Sequence, residues 1–351
     1  MAKASVLVTT AGTIVAQGII KCLKLANSQG ASPGYRIVTT DASPDAAGLY
    51  RSDVGYLVPP FSSENYVQSI CKICREEGVK AIFVGADEEL LIMAREAERI
   101  KKETGALVIT SPNDVIAKCI DKWKTFEFLA KSKFPCPDSA LPEDEDAFFR
   151  DRGYPSIVKP REGHGSLLVY VVRNREEARS AYEAISRAGW KPMIQKYLSG
   201  EEFTTGVTTD RHGKYIMSSI AMRRTLKGGQ TYKAFVDDYP EIRKACEEVA
   251  IKLGSKGPVN VQGRLSGGKL KIFEINPRFS ASCPIRAAAG VNEPDIVFRN
   301  LVLGEYIRVE GYEKLVCMRY WNEVYVPFPA FDAMKEKGKL EKPDSRLKDY
   351  F

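Results

Sequence analysis

Phe273-Glu274-Ile275-Asn276-Pro277-Arg278 is the most informative stretch of the 351 residues. In an extended strand, alternate residues share a face. The spacing therefore predicts Glu274, Asn276 and Arg278 on one face, with Phe273 and Ile275 turned into a core. A carboxylate and an amide are hard oxygen donors that suit magnesium. A guanidinium beside them suits an oxyanion or phosphate. Upstream, Val261-Gln262-Gly263-Arg264 lies across the turn Ser266-Gly267-Gly268. Pairing these two strands brings Gln262 to Glu274 as a further oxygen donor. A polar stripe on a solvent-facing edge strand would alternate similarly, but it does not explain the carboxylate–amide–guanidinium order beside Pro277.

Working outward, Ser156-Ile157-Val158-Lys159-Pro160-Arg161-Glu162-Gly163-His164-Gly165-Ser166 reads as a strand that ends in a lysine and opens into a glycine loop. Glycines let backbone N–H groups close over phosphate oxygens, and Lys159 adds positive charge. His164 is read as part of this loop and not as a metal ligand. Met193-Ile194-Gln195-Lys196-Tyr197-Leu198-Ser199-Gly200-Glu201-Glu202 is an apolar strand leading to a glycine and two acids. Its backbone can meet a purine edge, and an acid beyond it can meet ribose hydroxyls; an ordinary strand ending in a charged turn has the same appearance. Lys122 falls in a helical stretch as a solvated charge or a phosphate ligand. Arg223 and Arg224, ahead of Gly228-Gly229, form a paired basic element suited to a substrate carboxylate or phosphate, or else a basic surface loop.

Strands and helices alternate over the first 110 or so residues, which predicts a parallel α/β sheet. The strands are read at Ser5–Thr9, Tyr35–Thr39, Ala81–Val84 and Val108–Ile109. A glycine turn, Ala11-Gly12-Thr13, follows the first strand, and Asp41 ends the second. The turn lacks G-x-G-x-x-G, so no dinucleotide site is expected. A helical segment is expected to run on to about Lys131. From there the reading changes to short antiparallel strands broken by glycine turns, at Ile157–Lys159, Leu167–Val172, Met193–Tyr197, Thr204–Thr208, Tyr215–Ile220, Val259–Leu265 and Leu270–Ile275. Ser280–Pro284 reads as a helix start.

Composition narrows the function classes. Hydrophobic residues make up 44% and charged residues 28%, the balance of a folded globular chain. The net charge of +7 is mild for this length, with no basic run of five or six residues. It favours small anionic partners over nucleic acid. Cys71-Lys72-Ile73-Cys74 is a lone C-x-x-C in a chain with two histidines, which does not supply a zinc site. Eight scattered cysteines suit reduced thiols and a cytoplasmic location. No stretch approaches the 18 or so uninterrupted apolar residues of a membrane span. The apolar start after Met1-Ala2-Lys3 is read as strand, loop and helix rather than as a leader.

In order and spacing these elements resemble the ATP-grasp superfamily, in particular its carbamoyl-phosphate-synthase-like carboxylate–amine ligases. The resemblance spans nearly the whole chain. It implies an N-terminal parallel α/β pre-ATP-grasp domain (1–111), then an ATP-grasp fold of two α+β subdomains. These are a small subdomain with the glycine loop (112–192) and a large one with the metal site (193–310). A C-terminal strand and tail (311–351) pack on the core. Carried over by residue, the resemblance implies that Lys122 and Lys159 contact ATP phosphates, and that Gly163, Gly165 and Ser166 close over them. It sets Gln195, Lys196, Tyr197 and Leu198 against adenine, read through the backbones of Lys196 and Leu198, and Glu202 on ribose. Gln195 stands where many relatives carry an acid. Gln262, Glu274 and Asn276 would bind Mg2+ or Mn2+, with Arg278 and Lys159 as the catalytic cations.

The implied reaction activates a small-molecule carboxylate as an acyl phosphate, releases ADP and phosphate, and joins the acyl group to an amine, with amino acids as the expected substrates. A carboxylate is already ionised at neutral pH and needs no base. The alternatives are bicarbonate activation to a carbamate, ligation to a protein side chain, or a non-catalytic nucleotide-binding module. The expected partners are small molecules, with neither nucleic acid nor membrane, and a homodimer is the default assembly.

Overall fold

The structure, a computed structural model, describes residues 3–163, 165–320 and 322–347. Its first third holds β1 (Ala4–Val8), α1 (Ile14–Ser28), β2 (Tyr35–Asp41), β3 (Val54–Leu57), α2 (Tyr66–Glu77), β4 (Ala81–Phe83), α3 (Asp87–Thr104) and β5 (Leu107–Ile109). β1 pairs in parallel with β2 and β4, β2 with β3, and β4 with β5. The strands read from sequence are present, and β3 is additional. It is four residues long and includes Gly55, where a Cβ would lie 2.6 Å from the Leu49 carbonyl. Such a short, glycine-bearing strand gives little periodic signal.

α1 forms because Thr13 caps it, its hydroxyl accepting from the Ala16 amide at 3.1 Å. Val15, Ile19, Ile20, Leu23 and Ala26 form the face that packs on Val6, Val8 and Ile37 of the sheet. α3 starts with Asp87, Glu88 and Glu89, a charge choice favoured by the helix dipole, and ends at Gly105 in the left-handed region. Two helices follow where one was expected, α4 (Asn113–Ile120) and α5 (Lys122–Lys131). Asp121 separates them. Its extended backbone breaks the first helix, and its carboxylate caps the second through the Trp123 amide at 2.9 Å.

A small sheet follows, built from β6 (Ser139–Ala140), β7 (Ser156–Pro160), β8 (Tyr170–Val172) and β9 (Pro192–Lys196), with α6 (Glu145–Arg152) and α7 (Arg175–Arg187). Its order is β6-β9-β7-β8. The strand expected at Leu167–Val172 is confined to β8. Ser166 and Leu168 have φ of +60° and +55°, which ends extended pairing before Tyr170.

The rest of the chain supplies β10 (Glu202–Thr209), β11 (Ile216–Lys227), β12 (Gln230–Val236), α8 (Pro240–Leu253), β13 (Gly257–Ser266), β14 (Lys269–Asn276), α9 (Cys283–Ala288), α10 (Glu293–Leu301), β15 (Leu315–Met318), α11 (Phe328–Lys337) and β16 (Lys339–Glu341). An antiparallel sheet runs β14-β13-β10-β11-β12-β15. β11 is twice the expected length and continues through Arg223 and Arg224 into the turn at Gly228-Gly229. One face of the sheet packs on α8 through Phe203, Val207, Ala221, Val259 and Val261. The other is apolar where Ile220, Met222 and Val236 meet α10 and the first sheet, and polar beyond. β16 returns to the first sheet and pairs antiparallel with β3, making the order β16-β3-β2-β1-β4-β5.

Candidate active site

The polar end of the antiparallel sheet, the small sheet and the loops at the end of the first sheet enclose a cavity of about 630 Å³. That is ample for a nucleotide and a small second substrate. Lys159, Gln195 and the β7–β8 loop form one wall, Glu202, Arg224, Gln262 and Glu274 another. Gly12, Thr13, Ile14, Asp87 and Ser280–Ser282 close the far end. Among the described residues no three His, Cys, Asp or Glu side chains cluster as a metal site, and no helix is long and apolar enough to cross a membrane.

Pairing across the Gly267-Gly268 turn sets Gln262 opposite Glu274 and Asn260 opposite Asn276. The register slips between Gln262 and Gly263, because Gly263 faces Ile272 and Phe273 has no partner. This bulge changes the expected alternation. Ile272 and Ile275 both enter the core although three residues apart, and Phe273 lines the cavity instead of the core. Asn276 donates to Glu274 Oε1 at 3.2 Å, and Gln262 Oε1 accepts from Arg224 at 2.7 Å. Each amide oxygen has two lone pairs. One carboxylate and two amides with no sulfur or imidazole between them fit Mg2+ or Mn2+.

Lys159 is buried and reaches Gln195 Oε1 at 2.9 Å. Its ammonium also sits 5.8 Å from the Phe273 ring centre. Gln195 is fixed in turn by its donation to Ser139 Oγ at 3.0 Å. Burial, reinforced by the charge of Lys122 and opposed by Glu274, pushes Lys159 down to about 7. The neutral amide at 195 accepts a hydrogen bond from the ammonium but brings no negative charge to offset the burial.

The glycine loop is tied at its root. The Lys122 amide donates to the Arg161 carbonyl at 2.7 Å, and Lys122 Nζ reaches the Gly163 carbonyl at 2.6 Å. Arg161 forms a two-point ion pair with Asp121, at 2.5 and 3.1 Å. Gly163, Gly165 and Ser166 line the cavity with positive φ. A Cβ on Gly163 or Gly165 would meet nothing within 4 Å, whereas one on Gly229 would lie 2.2 Å from the Gly165 carbonyl. The β11–β12 turn thus rests on the glycine loop. His164 lies outside the described residues.

Lys196, Tyr197 and Leu198 line the cavity after β9. The Lys196 amide is committed to the Asp138 carbonyl at 2.8 Å, so contact of Lys196 with a purine edge would fall to its carbonyl. Glu202 is engaged by Arg224 at 2.7 and 3.0 Å and by Arg264 at 2.6 Å. The expected pairing of Arg223 with Arg224 is not found. On one strand their side chains leave opposite faces, so only Arg224 lines the cavity. Arg223 stacks on Phe235 at 4.1 Å and pairs with Glu201 at 3.2 Å.

Arg278 has a partner that the sequence does not suggest. Its Nε and Nη2 donate to the two carboxylate oxygens of Asp87, at 2.7 and 2.8 Å, and Nη1 donates to the Phe279 carbonyl at 3.1 Å. Burial alone would lower the guanidinium's pKa, but Asp87 outweighs it and the net shift is upward. Asp87 opens α3, so this arginine is aimed by the first domain. An acid in the first turn of a helix is the available sequence signal, and it does not name the arginine.

Residues 119–282 match the family model of the ATP-grasp domain, and residues 6–109 that of the PylC-like N-terminal domain. Among curated proteins, the carbamoyl phosphate synthase large chain of Pseudomonas putida is 21% identical over 315 residues, covering 85% of this chain and 29% of that protein. That of Gemmatimonas aurantiaca is 24% identical over 331 residues, covering 89% and 29%. The chain thus spans about three-tenths of the length of these relatives. N5-carboxyaminoimidazole ribonucleotide synthetase from Thermus thermophilus superposes with a TM-score of 0.69 at 16% identity, covering 97% of this chain and 91% of that one. The biotin carboxylase domain of Hydrogenobacter thermophilus 2-oxoglutarate carboxylase, solved with MgADP and bicarbonate, has a TM-score of 0.70 at 18% identity, covering 96% and 77%. At these identities the superpositions show the fold.

Proposed function

We propose that this chain, whose residues 119–282 match the ATP-grasp domain and whose residues 6–109 match the PylC-like N-terminal domain, is an ATP-dependent carboxylate–amine ligase that activates a small carboxylic acid, an amino acid foremost, for capture by an amine. The observation that carries the reading is one cavity lined by a buried lysine and by two oxygen donors, Gln262 and Glu274, with Asn276 buried behind them and hydrogen-bonded to Glu274. Lys159 lies within electrostatic reach of Glu274 across it. In this reading Lys122, Lys159 and the amides of the glycine loop hold the β- and γ-phosphates. Lys196 and Leu198 meet adenine, and Glu202, held by its two arginines, faces the ribose. Gln262, Glu274 and Asn276 would hold Mg2+ or Mn2+, which when bound offsets charge on the phosphates.

The acid's carboxylate oxygen attacks the γ-phosphorus as the bond to the β-phosphate oxygen breaks, giving an acyl phosphate and ADP. Arg278, oriented by Asp87, stabilises charge on the transferring group and then on the acyl phosphate. An amine adds to the acyl carbon, phosphate leaves and the amine's proton is lost to water. The glycine loop keeps water from the acyl phosphate in the meantime.

The test is ADP and phosphate release screened against pooled amino acids and small acids, with mass spectrometry of products. Positional isotope exchange in labelled ATP, driven by the acid alone, is the expected mark of the first step. Production of AMP and pyrophosphate, or of a stable phosphorylated alcohol, overturns the mechanism. Bicarbonate-dependent ADP release would move the reading to carbamate chemistry on the same residues.

A further inference from the structure

Lys21 and Lys24 lie one turn apart on α1, which packs on the single turn ending at Arg51, and Arg319, after β15, is bound to Ala281 two residues before the Cys283 that touches α1. Ile14, Gly18 and Lys21 follow one another at helical spacing along α1, and Ile14 lines the cavity. That face of the helix therefore leads outward from the site. It is seated on the segment following the cavity wall, because Cys22 Sγ lies 3.6 Å from Cys283 Sγ and a Cβ on Gly18 would meet the same sulfur at 3.3 Å. Arg319 donates to the carbonyls of Thr231 and Ala281 at 3.1 and 2.5 Å, and both residues line the cavity. The guanidinium is thus fixed at the rim by neutral acceptors that leave its charge uncompensated.

Arg51 Nε is buried and meets no hydrogen-bond partner. Partial burial of the side-chain ends lowers the pKa of all four groups, although Lys21 and Lys24 keep contact with solvent. The charges of Arg51 and Arg319 lower Lys21 further, and Arg51 does the same to Lys24 against the opposing charge of Asp53. Like charges brought together and partly desolvated, with no carboxylate in ion-pair contact among the described residues, cost free energy that a bound anion returns.

We propose that this basic ledge binds a doubly charged oxyanion of the phosphate-monoester class, carried by a substrate at the end remote from its reacting group. The guanidinium of Arg51, the two ammonium groups and the fixed charge of Arg319 match a dianion with three acceptor oxygens; a lone carboxylate would satisfy fewer of them. In assigning the anion to a substrate, the proposal rests on the ligase reading. The ledge itself does not.

The test is calorimetric titration of the full chain, saturated with Mg2+ and a non-hydrolysable ATP analogue so that the nucleotide phosphate sites are filled. Glycerol 3-phosphate is the probe and glycerol the control. Saturable binding of the phosphate ester alone is expected. Lys21→Gln and Arg51→Gln should each weaken it about tenfold, the effect of losing one charge-assisted contact, with analogue affinity unchanged. Lys21 is exposed, so the Lys21→Gln, Lys24→Gln double variant keeps the test alive if Arg51→Gln does not fold. Absence of saturable binding, or equal binding by the variants, overturns the ledge. If the analogue itself fails to bind, the ligase reading is what fails, and the same titration without nucleotide tests the ledge alone.

Discussion

Two strand-to-glycine turns face the same cavity, and they are built oppositely. After β1, the Gly12 amide donates to Asp41 at 2.7 Å, and a Cβ there would lie 3.1 Å from Ala46. Nearby, a Cβ on Gly48 would fall 2.2 Å from the Ala11 carbonyl, and one on Gly85 would fall 2.1 Å from that of Thr9. These glycines are small so that the protein can pack against itself. After β7, Gly163 and Gly165 have open space around them and a buried lysine at their root. Under the proposed function the second turn is the ligand cradle, since space beside its glycines is left open where the first turn is filled. The turn motif does not distinguish the two cases.

The largest test of this contrast is catalytic. Glu274→Ala or Asn276→Ala should lower ADP release by at least ~10²-fold, the scale of losing one transition-state contact. Asp41→Asn, at the packed turn, should leave turnover within a few-fold while lowering thermal stability. Steady-state rates of purified, folded variants decide, and comparable losses at the two turns would erase the distinction.

Loop order comes next. Hydrogen exchange should show Arg161–Ser166 weakly protected without nucleotide and strongly protected with Mg-ATP, while residues 10–13 stay unchanged. Equal protection of the glycine loop in both states would mean that it is a fixed turn. Gly229→Ala, which sets a methyl against the Gly165 carbonyl in a backbone region L residues resist, should slow turnover about tenfold.

A smaller effect should appear as protons. With Lys159 near 7 in the free protein, phosphate binding restores the ammonium form. Mg-ATP binding at pH 8 should therefore take up about 0.9 proton, and at pH 6 close to none. Calorimetry in buffers of different ionisation enthalpy measures it. Gln195→Glu supplies the missing negative charge, raises Lys159 and should remove the uptake at pH 8.

The last effect belongs to the packed side and is read in stability, not turnover. Glu89 is buried beneath the Gly12 turn, accepting from Thr9 at 2.7 Å, Thr10 at 3.2 Å and Tyr66. Burial pushes it up to about 7 against these bonds. A carboxyl raised on folding stabilises the fold fully below its unfolded pKa near 4.5, and that contribution is lost as pH climbs through 7. Denaturation of wild type should show a decline of at most about 3 kcal/mol over this interval, and Glu89→Gln should flatten it.

Much of this was legible in the sequence. Glu274, Asn276 and Gln262 converge because a two-residue alternation and a glycine hairpin specify register locally. Lys159 and its loop could be read because strand end and turn adjoin in the chain. The exceptions share one cause. The Phe273 bulge, the two arginines on Glu202 and the division of Arg223 from Arg224 depend on which residues oppose each other across strands. The Asp87–Arg278 pair joins different domains. No periodicity within a segment encodes such contacts. A C-terminal strand was expected within 311–351, but the pairing of β16 with β3 escaped for the same reason, since its three residues acquire meaning only beside β3.

That last strand has a consequence for synthesis. β3 is near the start of the chain, and its outer edge is covered by β16 and α11, whose Met334 fills the space beside Leu49 and Tyr50. At 5–20 residues per second, roughly tens of seconds separate the emergence of β3 from that of its cover. During that interval the nascent first sheet offers an unpaired edge and an open apolar hollow to the crowded exit of the ribosome. The sheet that holds β3 is thus completed only after the cavity-forming sheets have been made, and truncations that spare every cavity residue but remove β16 should yield chains that need chaperones.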